Sequence, residues 1–94
     1  MELAEFGLEA SVEDITPEMA AQYLQNNFKH REIKQARVDK FTMQMNEGDW
    51  QFNGKVIIFS DTGMLMNGQH RLSAVVQSGK TMRTIVIRGV KIEN

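Results

Sequence analysis

Asn67-Gly68-Gln69-His70-Arg71 is the run of residues in this chain best suited to chemistry. It lies between a short apolar stretch, Met64-Leu65-Met66, and a segment with helical spacing, so it reads as a strand-to-helix turn. Gly68 lets the backbone reverse sharply and lets a ligand come close. The first amides of the following helix have no intrahelical acceptor, and the helix dipole adds partial positive charge at the same point. A phosphate is the natural guest of such a turn. His70 and Arg71 place two more donors in the first helical turn, where cations cost stability unless an anion is near. A glycine before a helix and a solvated first-turn arginine are also common, so spacing alone leaves both readings open.

A second basic stretch lies upstream. Lys29, His30, Arg31, Lys34, Arg37 and Lys40 fall within twelve residues, interrupted by Glu32 and Asp39. Arg31, Lys34 and Arg37 are spaced to share one face. That face suits a solvated helix surface, or a lining of the same pocket that meets the phosphates of a nucleotide or nucleic acid. The chain has only two histidines, so a metal site would have to recruit Asp61 or Asp49, and none is expected. It has no cysteine, which removes disulfides, thiol catalysis and thiolate metal sites together.

The elements that must position these residues follow from caps and periods. Thr16-Pro17-Glu18 opens a first helix, with Thr16 as N-cap, Pro17 at the first helical position and Glu18 at the positive end of the dipole. Met19, Ala20, Tyr23 and Leu24 give it an apolar face, and it fades near Asn26-Asn27. Phe28 to Glu32 reads as a connection. A second helix is predicted over residues 33–47, with Val38, Phe41 and Met45 as its stripe and Gly48 beyond its end. Trp50 is expected to pack back on the core. A β-hairpin follows, with strands at 55–59 and 64–66 joined by Ser60-Asp61-Thr62-Gly63. A third helix runs over 69–78, with Leu72, Val75 and Val76 inward and Gly79 at its end. A last strand over 81–88 is apolar on both sides near Ile85-Val86-Ile87, which marks it as central. The expected fold class is α/β (α+β): a small mixed sheet packed with three helices, in the order α-α-β-β-α-β.

Length and charge bound the rest. Ninety-four residues make one domain with a modest core. No apolar run approaches the roughly 20 residues that cross a bilayer, and the glutamate-bearing start is unlike a signal peptide, so a cytoplasmic protein is expected. Residues 1–18 carry six acids and no Lys or Arg, whereas residues 19–94 carry eleven basic groups and six acids, which gives −6 and +5 for a net −1. Residues 1–14 are therefore expected to form an acidic, flexible leader, and residues 15–94 the domain. The leader suits a solvated tail, or a segment that shields a basic groove or contacts a basic partner. The seven methionines suit gap-filling in the core, unless a pair on the hairpin is exposed as a partner surface.

The run Met66-Asn67-Gly68-Gln69-His70-Arg71-Leu72-Ser73-Ala74 resembles the Asp-Gly-Gln-His-Arg-Leu-x-Ala signature of ParB-like domains of phages and mobile elements, within the ParB/sulfiredoxin superfamily. Ile15-Thr16-Pro17-Glu18-Met19-Ala20, the region of Arg31, Met45-Asn46-Glu47-Gly48-Asp49-Trp50, Asn53-Gly54 and Ile87-Arg88-Gly89-Val90 follow the same family order, so the resemblance covers residues 12–91. It implies a ParB N-terminal/sulfiredoxin-like fold with a nucleotide pocket, for CTP in partition proteins or ATP in sulfiredoxin, with Mg²⁺. By that resemblance Gly68 is the close-approach glycine, Gln69 belongs to the phosphate-binding turn, His70 and Arg71 contact phosphate, and Arg31 faces the same pocket. Gln69 takes the place of the sulfiredoxin cysteine, which excludes sulfinic-acid reduction. Asn67 replaces the aspartate usual in phage relatives. Partition proteins complete their nucleotide site with a helical region that these residues lack, so a full partition activity is not expected. Nor do carboxylates and histidines cluster beside the motif as two-metal cleavage requires.

Three functions compete. One is a nucleotide-binding domain, with at most slow triphosphate hydrolysis, acting with DNA or a DNA-associated machine. Another is a small protein-interaction module, such as a phage-encoded antidefence inhibitor of a host nucleic-acid enzyme, with the fold as scaffold. The third is direct DNA binding, favoured by the basic stretch and opposed by the net −1 charge.

Overall fold

A computed structural model describes residues 2–28, 32–48 and 56–92. After a 3-10 turn at Leu3–Phe6 come β1 (Glu9–Ile15), α1 (Pro17–Leu24), α2 (Gln35–Asn46), β2 (Val56–Ser60), β3 (Leu65–Asn67), α3 (Gln69–Ser78) and β4 (Met82–Val90). The sheet order is β1-β4-β2-β3. β4 runs antiparallel to β1 and parallel to β2, and β2 and β3 form an antiparallel hairpin. The result is the expected small mixed sheet with three helices, with β4 inside it between β1 and β2.

The helix starts follow local chemistry. Thr16 Oγ1 accepts the Met19 N–H at 3.2 Å, with Pro17 at the first helical position. α2 and α3 have no such side-chain cap. Alternation along the strands sends Ile15, Ile57, Phe59, Leu65, Met82 and Val86 to one face, where they pack with Ala20, Val38, Met45, Leu72, Ala74 and Val75 in a single core. The opposite face carries Val12, Val56, Ile58, Ile85 and Ile87, half-buried or exposed.

Two expectations require correction. No period marks residues 1–14, yet residues 9–15 form β1, so the fold gains a strand ahead of the first helix. This strand has only one fully buried side chain, Ile15. The backbone ladder with β4 holds it, and across that ladder Asp14 pairs with Arg83 at 2.8 Å and Glu13 pairs with Arg88. Such pairs span some seventy residues and leave no trace in local periodicity. On α3, Val76 is 43% exposed, and Ala74 takes its place in the core. The helix is turned so that Gln69 and Arg71 are buried as well. On α2, Val38 and Met45 are buried, Phe41 only partly, and Thr42 joins the inward face. Among the methionines of interest, Met45 and Met82 are buried and Met43 is exposed, while Met64 and Met66 on the hairpin are half-buried. No helix among the described residues is long and apolar enough to cross a membrane.

Candidate anion site at the start of α3

β3 ends at Asn67, and the chain turns into α3 through Gly68 at φ +108°. This is a conformation that residues with a Cβ rarely adopt. A Cβ at Gly68 would also overlap the Cδ1 of Ile57, whose side chain is fully buried. The glycine is thus fixed by the sheet beneath it as well as by the turn. Because Gly68 offers no side-chain cap, the amides that open α3 border a cavity of about 330 Å³. Arg37, Phe41, Asn67, Gly68, Gln69, His70 and Arg71 line it.

Arg71 is the central charge of this cavity. It is only 8% exposed. Its Nη2 donates to the Val56 carbonyl at 2.8 Å, which braces the start of β2. Its Nη1 is buried and has no hydrogen-bond partner among the described residues. Burial, and secondarily the neighbouring Arg37 guanidinium, push its pKa below the ordinary arginine value. A buried guanidinium with one donor unmatched among the described residues, beside a second cation, is a costly arrangement. An anion in the cavity would supply the missing negative charge.

His70 and Gln69 are less available. The backbone N–H of Lys34 donates to His70 Nε2 at 3.0 Å, which requires that nitrogen to be an unprotonated acceptor and puts the ring proton on Nδ1. This bond ties the start of α2 to the start of α3. Gln69 Oε1 accepts from Asn27 Nδ2, and its Nε2 donates to the Glu32 carbonyl at 3.0 Å. Its side chain is therefore a clamp between α3 and the connection from α1 to α2, which leaves the backbone amide as what it can offer a ligand. Gly68, Gln69, His70 and Arg71 do share one cavity, joined by Arg37. Lys34 and Lys40 are exposed and are not among its lining residues. Arg31, His30, Lys29 and Trp50 lie outside the described residues.

Sequence reasoning placed Phe41 only in a core stripe, whereas its ring lines the cavity. The Asn27–Gln69 clamp was also unforeseen. Its sole trace was a polar residue on the buried side of α3.

A second cavity, of about 530 Å³, lies where the ends of β2 and β4 meet α1, the β2–β3 turn and the start of β1. It shares no lining residue with the first. Tyr23 and Phe59 meet edge to face in its wall at 4.7 Å, and the Arg88 guanidinium lies 5.2 Å from the Phe59 ring centre. Comparisons of the chain with protein-family models, with curated proteins and with solved structures found no match in any of the three.

Proposed function

We propose that this chain is a nucleotide-binding domain of ParB-like type, whose turn at Gly68 holds the phosphates of CTP or ATP. The observation that carries this reading is the buried Arg71, which lines a cavity at the start of α3 and whose Nη1 has no hydrogen-bond partner among the described residues. Phosphate oxygens meet its demands better than any neutral group, since guanidinium–phosphate pairs are charge-assisted and geometrically matched. Support for a nucleotide rather than a free phosphate comes from the sequence resemblance to ParB-like domains of phages and mobile elements. Arg71 is the principal phosphate ligand, the amides that open α3 surround the same oxygens, and Arg37 closes the rim. Asn67 offers an amide oxygen beside the phosphates, and Mg²⁺ would travel with the nucleotide's own oxygens. Lys34 and Arg37 form the basic shoulder through which the domain acts with DNA or a DNA-associated machine.

Calorimetric titration with CTP, ATP, GTP and UTP, each with Mg²⁺, tests the reading against inorganic phosphate and triphosphate. Binding of one nucleotide, lost in Arg71→Met, is the expected result. If none of the four binds at millimolar concentration, the nucleotide reading fails. If only the inorganic anions bind, the turn is an anion site without a nucleotide function.

A further inference from the structure

The sheet has two edges, and they are treated differently. β3, three residues long, is covered: the Leu65 N–H donates to the Asn26 carbonyl at 2.8 Å, and Asn27 bridges to Leu65. β1 is seven residues long and pairs only with β4 among the described residues. Its register runs unbroken from Glu9↔Arg88 to Ile15↔Met82, without a bulge. It contains no proline and no lysine. Proline, lysine and a bulge, three of the devices that keep an edge strand from pairing, are therefore missing. What it carries instead is negative charge. Glu2, Glu5 and Glu9 are exposed and form no ion pair among the described residues, and Glu13 and Asp14 are matched by Arg88 and Arg83. Such an edge repels a second copy of itself and attracts a strand bearing lysine or arginine.

The 530 Å³ cleft adjoins this edge through Glu9, which shares the helix-side face of β1 with Glu13. Within the cleft, Arg88 is neutralised by Glu13 and also donates to the Tyr23 hydroxyl at 3.3 Å. That leaves Glu9 and Asp61 as the charges of its lining with no ion pair among the described residues. An aromatic wall under a carboxylate rim suits the methylene stem and cationic head of a basic side chain.

We infer that β1 and this cleft receive an extended, lysine- or arginine-bearing segment of a partner protein. The segment adds as a fifth strand along β1 and sends one basic side chain between Glu9 and Asp61. Main-chain pairing gives the affinity, and the cleft gives the selectivity. This inference is independent of the α3 site.

The probe is a fluorescent peptide alternating lysine with threonine, followed by anisotropy on the whole chain at low and at physiological salt. Controls are its glutamate–threonine counterpart and a copy N-methylated along one edge, which keeps every charge but cannot form a ladder. The lysine peptide should bind. N-methylation of the peptide, or the pair Glu9→Lys with Asp61→Lys in the protein, should each weaken binding about tenfold or more. Arg71→Met should leave it unchanged. Equal binding of the methylated and unmethylated peptides would reduce the effect to diffuse charge attraction and overturn the inference. So would the absence of binding at low salt, or a β1-dependent dimer in sedimentation that excludes the peptide.

Discussion

Replacing Arg71 by methionine should have opposite consequences in the empty and the loaded protein. In the empty protein the guanidinium is 8% exposed and makes one bond, to the Val56 carbonyl at 2.8 Å, while Nη1 has no partner among the described residues. A hydrogen bond from a charged donor contributes about 1.5–3 kcal/mol. Desolvating the charge costs several kcal/mol even after relaxation, and Arg37 adds repulsion. Methionine keeps most of the stem and removes the charge, so Arg71→Met should leave the empty protein as stable as wild type, or more stable by up to about 2 kcal/mol. For a domain of this size each kcal/mol moves Tm by roughly 4–8 °C. In the loaded protein the order reverses. A ligand present at about a hundred times its Kd stabilises the wild type by about 2.7 kcal/mol, and the variant should gain almost nothing. Melting curves of both proteins, alone and with phosphate, triphosphate, CTP–Mg²⁺ and ATP–Mg²⁺, would show this crossing. If wild type is indifferent to every anion and the variant melts several degrees lower throughout, Arg71 is a brace for β2 alone, and the electrostatic argument for the cavity is wrong.

Gly68→Ala should cost about 1–3 kcal/mol in urea unfolding, from the left-handed backbone and the overlap with Ile57. Ile57→Val removes the colliding methyl, so the double variant should be less destabilised than the sum of the two single changes. Gln69→Leu should lower stability by about 2 kcal/mol, because it strands the Asn27 amide and the Glu32 carbonyl; a calorimetric scan reads this directly. The Glu13 carboxyl is held below its usual value of 4.5, first by its hydrogen bond with Arg88. Its contribution is therefore complete above pH 4.5 and is lost as pH falls through the lowered folded value. Glu13→Gln should flatten that acid limb of a Tm-against-pH curve and leave the neutral region parallel to wild type.

The helices and the inner strands were legible because their signals are local. Thr16 and Pro17 announce α1, Gly79 ends α3, and the run Ile85-Val86-Ile87 announces a strand inside the sheet. β1 was illegible because its partners are Arg83 and Arg88, far along the chain, and its own faces are polar. The turn at Gly68 was visible as a place where a helix begins. That its arginine is buried, with Nη2 bonded to the Val56 carbonyl, depends on how the start of β2 passes beside α3. The rotation that buries Arg71 and exposes Val76 is a matter of roughly one residue step around α3, below what a three-residue apolar pattern can resolve. The acidic character of residues 1–14 was plain, but the edge it decorates emerges only once β4 is in place.

The strand at the centre of this sheet is also the last of its elements in chain order. Among the described residues β1 has no neighbour other than β4, and β2 meets β1 only through it. During synthesis, therefore, the first strand must wait until residues 82–90 have left the ribosome before it can find its place. Until then the nascent chain can hold helices and a hairpin, with no sheet to press them against. Folding should thus commit in one late step whose closure joins Glu9 to Arg88, and a product that stops at Gly79 should be cleared as unfolded chain.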